Sequence, residues 1–167
     1  MITEFKGAYS WLSNFAPCAI SYKERMYASV EHAYISAKSD DEEWKAFCAD
    51  SNNSPGKVKR KSKKVVLRED WNLIKVAIMK ELVEKKYAQA PYQQLLLDTG
   101  NCYIQEGNWW GDIFWRVDLT TNKGANKLGL LIMEIRKELQ KANINQSLYQ
   151  KIKIQLIGFV CKVLPSF

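Results

Sequence analysis

Apolar residues recur at intervals of three and four along two long stretches of the chain. In DWNLIKVAIMKELVEKKYAQ, residues 70–89, Trp71, Ile74, Ile78 and Leu82 fall on one side of a helix, with Asp70 in position to cap it. In NKLGLLIMEIRKELQ, residues 126–140, the matching face is Leu128, Leu131, Ile132, Ile135 and Leu139. A shorter helix is predicted over SVEHAYISAK, residues 29–38, where Ser29 can accept hydrogen bonds from the first turn and Glu31 sits where the helix dipole favours negative charge. Pro91 opens another through QQLLL, which ends near Gly100. The opening EFKGAYSWLSNFAPCAISYKERMYA mixes aromatic and β-branched residues with Gly7 and Pro17, a pattern of short strands and loops. CYIQE, residues 102–106, alternates like a strand, and GNWWGDIFWRVDLTTNKGA after it reads as a long aromatic loop. The fold class expected is α+β and mostly helical: one compact domain over residues 1–139 with short strands near its N-terminus, then an extension, 140–167, of helix or added strand.

Composition agrees with a packed domain. The chain has 167 residues, 47% of them hydrophobic, enough for one core. Its start lacks the basic and apolar regions of a secretory signal, and IQLIGFVCKVL is interrupted and too short to span a bilayer, so a soluble, cytoplasmic protein is expected. Cys18, Cys48, Cys102 and Cys161 are scattered, with no C-x-x-C pair, which suits reduced thiols. With His32 the only histidine, neither a metal site nor a cofactor is expected.

The net charge of +7 points to an anionic partner. Much of the excess lies in KVKRKSKK, residues 57–64, which is either a solvated loop or helix start or a phosphate contact, and holds no aromatic ring for a base to stack on.

Two stretches carry candidate chemistry. Glu31 and Lys38 are seven residues apart, about two helical turns and about 10.5 Å, too far for an i,i+4 pair but on nearly one face. They can flank a ligand, with Tyr34 between them, or simply complement the helix dipole at its two ends. Without a nucleophile motif nearby, His32 reads as structural. In EGNWWGDIFW, residues 106–115, Trp109, Trp110 and Trp115 are interleaved with Glu106, Asn108 and Asp112. Such a loop can stack a flat ring and hold its polar edges, or its tryptophans can anchor it to the core.

Six blocks in order are more specific than any of these: F-x-G-x-Y-x-x-LSNF at 5–15, S-V-E-H-A-Y at 29–34 with Lys38, L-R-x-D-W at 67–71, LLLDTG at 95–100, N-x-W-G-D-x-F-W at 108–115 and G-x-N-x-LG-x-x-x-M-E-x-R at 124–136. Together they resemble the NADAR superfamily of YbiA-like N-glycosidases. The resemblance implies metal-independent cleavage of the bond between a ribose and a base, either ADP-ribose from ADP-ribosylated guanine or a phosphoribosylamino-pyrimidine of riboflavin synthesis. The partner it implies is a ribosylated nucleobase or nucleotide, with ADP-ribosylated DNA or RNA as one form. It assigns Glu31, Lys38 and Asp112 to catalysis, and gives motif positions to Asn14, Phe15, Arg68, Trp71, Trp110, Trp115 and Asn126, expected to bind substrate. Arg68 is a bidentate phosphate donor or the partner of a nearby acid. One departure stands out: Arg116 occupies a place where family members often have glycine, and it either narrows the pocket or contacts phosphate. Non-catalytic nucleotide binding and basic nucleic-acid binding are the alternatives to the enzyme.

Overall fold

A computed structural model of the chain describes the backbone of residues 1–163 and the side chains of residues 1–150. Among the described residues, six helices and four short strands follow in the order β1 (Ile20–Tyr22), β2 (Arg25–Tyr27), α1 (Val30–Ser36), α2 (Glu42–Ala49), α3 (Pro55–Lys61), α4 (Trp71–Tyr87), α5 (Tyr92–Asp98), β3 (Gly107–Asn108), β4 (Val117–Asp118) and α6 (Lys127–Val163). Ahead of them, Gly7–Leu12 forms a 3-10 helix. The mostly helical α+β expectation is met.

Helix α1 is central: all seven of its residues are buried, and it packs on α2, α3 and α4. The core around it is built from Leu12, Ile20, Val30, Ile35, Val58, Leu82 and Ile132, each fully or nearly fully buried. At about 1.5–3 kcal/mol per large aliphatic side chain removed from water, this cluster is the main force holding the helices together. The periodic faces of α4 and α6 enter the same core, with Trp71, Ile78, Leu82, Leu128, Ile132 and Ile135 buried and Ile74 and Leu139 half-buried at its edge.

The strands are shorter than their patterns suggest. Strands β1 and β2 form an antiparallel hairpin pairing Ile20 with Tyr27, and β3 and β4 a parallel pair matching Gly107 with Val117 and Asn108 with Asp118. In place of a CYIQE strand there is a single bridge between Ile104 and Ile2. Asp70 occupies the cap position of α4 without its side chain bonding a helix N–H, because the carboxylate is taken by Arg68 at 2.5 and 3.0 Å. Helix α2 is an addition to the predicted elements: Asp41 caps it by accepting from Glu43 and Trp44, and Trp44 Nε1 donates to the carbonyl of Ile35. Helix α6 continues past residue 139 through most of the extension, to Val163; residues 164–167 and the side chains from 151 onward, including Cys161, lie outside the described residues. Among the described residues no helix is long and apolar enough to cross a membrane.

Candidate active site

The buried α1 delivers one half of the site. Ser29 caps the helix, its oxygen 3.4 Å from the His32 amide. The His32 ring lies between Ser29 Oγ at 2.7 Å and the carbonyl of Asn53 at 2.7 Å. Because a carbonyl only accepts, Nε2 donates to it, leaving Nδ1 to accept from the serine hydroxyl. His32 is thus a satisfied structural group that ties α1 to the segment before α3. On its other side α1 presents Glu31, whose amide donates to the Asn14 carbonyl at 2.9 Å and whose carboxylate meets Lys59 Nζ at 3.2 Å. The helix ends at Ser36, so Lys38 follows it in a turn rather than inside it, with its carbonyl accepting from the Arg68 amide.

Glu31, Lys38 and Asp112 line one cavity of about 330 Å3, together with Asn14, Tyr34, Trp71, Glu106, Trp115 and Arg116. The volume is at the small end of ligand sites and suits one sugar and part of a base. Lys38 is half-buried, its Nζ 6.0 Å from the Trp71 ring centre, and among the described residues it has no ion-pair partner. Loss of water lowers its pKa below the ordinary lysine value, Glu31 opposes that shift and Lys59 adds to it. Burial weakens the charged form of an amine, and a neutral amine is a nucleophile.

The loop between β3 and β4 supplies the other half. Asn108, fully buried, braces it: its side-chain oxygen accepts from the amides of Trp110 and Asp112, and its nitrogen donates to the Asp112 carbonyl at 2.8 Å. Asp112 spends Oδ1 on the amides of Phe114 and Trp115, while Oδ2 stands 3.7 Å from Arg116. Trp115 packs edge-on against Tyr34, which packs in turn on Trp71, so aromatic rings form one wall. Burial drives the Tyr34 hydroxyl far above its usual pKa, keeping it neutral.

The remaining expected residues fall in three places. Phe15 and Trp110 line an adjoining cleft of about 730 Å3, which shares Lys59, Glu106 and Arg116 with the first. Asn126 lies outside both: its amide donates to the Ile104 carbonyl and the Tyr103 hydroxyl, and its oxygen accepts from the Glu106 amide, so it holds the backbone that carries Glu106. Arg68 lies outside as well, lining two other clefts and paired with Asp70 and, at 3.4 Å, Asp40. Of its two readings the structure favours the ion pair.

Three residues join the site beyond those assigned to catalysis or substrate binding: Lys59, Glu106, which the sequence placed in the tryptophan-rich loop, and Arg116, which it marked as a departure that narrows the pocket or contacts phosphate. Glu106 is 6% exposed, and burial raises its pKa although Arg116 lies 2.8 Å away. Lys59 was concealed in the cationic run, where only its place on α3 separates it from its neighbours. Glu106 had a signal, since it opens the tryptophan-rich stretch.

The NADAR domain model matches residues 3–140. The chain belongs to the NADAR family. Over 134 residues it is 30% identical to N-glycosidase YbiA of Escherichia coli, a match covering 78% of this chain and 82% of that protein. An N-glycosidase of Nostoc punctiforme is 33% identical over 138 residues, or 79% of this chain and 86% of that one. A riboflavin biosynthesis protein of Vibrio vulnificus is 32% identical over 136 residues, which is 80% of this chain but 36% of that longer protein. The solution structure of E. coli YbiA superposes with a TM-score of 0.74 at 26% identity, covering 86% of this chain and 85% of that one. The recognition from six sequence blocks and the expected fold class are both borne out.

Proposed function

We infer that this chain is an N-glycosidase, a hydrolase of N-glycosyl compounds, acting on a ribosylated base, and that residues 1–139 carry the reaction while 140–167 are an extension. The observation that carries the reading is the meeting, in one cavity, of Glu31 and Asp112 with a desolvated Lys38 that has no ion-pair partner among the described residues. Relatives that bear the name N-glycosidase over most of their length support the same class.

The residue types suit the reaction. Cleaving the bond between C1 of ribose and a base nitrogen builds positive charge on the sugar and negative charge on the leaving base. Glu31 stabilises the sugar, and Asp112 serves the base side of the cavity. Lys38, as the neutral amine, attacks C1; the bond to the base breaks with its electron pair leaving on nitrogen, which takes up a proton. The amine sheds one proton to the departing base, leaving a ribosylamine; its C1–O4′ bond then breaks, O4′ takes the remaining amine proton, and the ring-opened sugar is held as an imine of Lys38. Water adds to the imine carbon, the amine departs, and free sugar and base result, one water consumed per bond cleaved. The aromatic wall of Trp71, Tyr34 and Trp115 receives the flat base.

Two substrate forms fit: ADP-ribose on guanine, and a phosphoribosylamino-pyrimidine. Incubating the protein with each and identifying released base and sugar by mass spectrometry distinguishes them. Borohydride added during turnover should fix a sugar adduct on Lys38 that Lys38→Ala lacks. Base release with no trapped adduct would remove the covalent step, and no release from either substrate would remove the reading.

A further inference from the structure

The two adjoining cavities are divided by Lys59, Glu106 and Arg116, which line both. Each cation in this partition is paired with a carboxylate of the reaction cavity, Lys59 with Glu31 and Arg116 with Glu106. The Arg116 pairing is incomplete. A guanidinium offers five donors in a flat fork, and a structural Arg–carboxylate pair uses two in parallel. Here Arg116 reaches Glu106 through Nη2 at 2.8 Å and Asp112 through Nη1 at 3.7 Å, one point to each. Arg116 Nε and Glu106 Oε2 are buried and without partners among the described residues. Arg116 is 9% exposed, and its guanidinium carbon lies 5.1 Å from the Trp110 ring centre. A bare donor at this depth is expensive, and the usual explanation of Arg116 Nε is an acceptor that completes it; Glu106 Oε2, itself an acceptor, shows only that the pair is not bidentate.

We propose that Arg116 is a specificity-determining anchor for a phosphate monoester of the substrate, which lies at the partition while the ribose occupies the smaller cavity. A phosphate presents several oxygens to the fork, and so replaces the two single-point carboxylate contacts with parallel ones. Lys59, across the partition, adds a second positive charge, and Arg60 and Lys63 line the larger cleft beyond. Glu106 is the competitor for Arg116: it holds the guanidinium in place when no anion is bound and yields it when one arrives. The identity of the sugar rests on the glycosidase reading; the anion site does not.

The test measures binding of ribose 5-phosphate and of ribose by calorimetry to the wild type, Arg116→Gln and Glu106→Gln. The wild type should favour the phosphorylated sugar by roughly tenfold or more, Arg116→Gln should erase that preference, and Glu106→Gln should enlarge it by removing the competitor. A merely structural pair predicts that both variants lose binding together. Equal binding of the two sugars by the wild type, an undiminished preference in Arg116→Gln, or a reduced one in Glu106→Gln overturns the proposal. Should Arg116→Gln fold poorly, the direction of the Glu106→Gln change decides. A single-stranded oligonucleotide without terminal phosphate tests the other source of phosphate; its binding more tightly than ribose 5-phosphate, in an Arg116-dependent way, overturns the assignment to a monoester. If ribose 5-phosphate binds as described but no ribosylated substrate is cleaved, the glycosidase reading fails and the anchor stands; cleavage indifferent to phosphate fails the anchor alone.

Discussion

Glu31 and Lys59 act on Lys38 in opposite directions, which makes the state of the proposed nucleophile testable. If Lys38 attacks as proposed it must be neutral to do so, and activity should then rise with pH along a limb whose midpoint lies below the ordinary lysine value of 10.5. Glu31 raises that midpoint and Lys59 lowers it. A pH–rate profile should therefore show the limb displaced to lower pH in Glu31→Gln and to higher pH in Lys59→Met; displacement of both the same way would show that the limb belongs to another group. Glu31→Gln should also reduce kcat by about 10²–10⁴-fold, as expected for loss of a charged catalytic group, while the fold persists. Lys86 provides a second titration, one of stability. Its amine donates to the carbonyls of Trp11 and Ser13 at 2.7 and 2.8 Å, just before Asn14 enters the site, and burial lowers its pKa to about 7. Above that pH the neutral amine still has two N–H donors for the two carbonyls. Between about 7 and 10.5 the unfolded chain holds the proton that the folded one lacks, so stability should rise with pH, by up to about 1.4 kcal/mol per unit. Chemical denaturation across this window should show a rise in the wild type that is missing in Lys86→Met.

At the scale of elements, the β3–β4 loop depends on one amide. Asn108→Ala removes its three loop hydrogen bonds at once, leaving the Trp110 and Asp112 amides without an acceptor and the Asp112 carbonyl without its donor. Stability should fall by about 1–3 kcal/mol, and kcat/KM should fall further than the folded fraction accounts for, because Asp112 and Trp115 lose their placement. A fall in activity that only tracks the folded fraction would confine Asn108 to stability. The same loop shows what sequence can convey. Its length and its carboxylates among tryptophans made it a candidate for ring binding or for anchoring to the core, but nothing in the spelling said that Asp112 would commit one oxygen to its own loop or that Asn108 would be the brace. Helices with a repeated apolar face, α4 and α6, were legible because one side must be removed from water. Helix α2 was not, since only Trp44 and Cys48 among its eight residues are buried, too short a pattern to stand out. Asp70 was misleading for a different reason: a good cap residue also makes a good partner for arginine, and Arg68, two residues away, takes both of its oxygens.

Across the described part of the molecule, the cations of the basic run that supplies much of the +7 charge serve separate tasks. Within residues 57–64, Lys59 enters the reaction cavity, Arg60 and Lys63 line the adjoining cleft, Lys61 lies 3.9 Å over the Phe47 ring and Lys64 lines a third cleft. A linear reading sees six equivalent cations; folding the run into α3 and the 3-10 turn after it distributes them among different neighbours, and that information depends on contacts remote in sequence. The division allows the two substrate forms to be told apart. A nucleic-acid-borne substrate carries phosphates on both sides of its ribosylated base, so it would draw on cations outside the reaction cavity and release counterions from its backbone. A small nucleotide draws on fewer of them. Replacing Arg60 and Lys63 together by glutamine should therefore raise KM for a DNA-borne substrate with kcat retained, and reduce the slope of log(kcat/KM) against log salt by about one for each phosphate the variant no longer neutralises. The same variant should change kcat/KM for a free ribosylated base by much less, because Lys59 and Arg116 remain at the partition. Steady-state kinetics at several salt concentrations on both substrates give the answer: a loss confined to DNA identifies a strand lying along α3, whereas equal losses on both mean that Arg60 and Lys63 support the cleft itself and that its substrate is small.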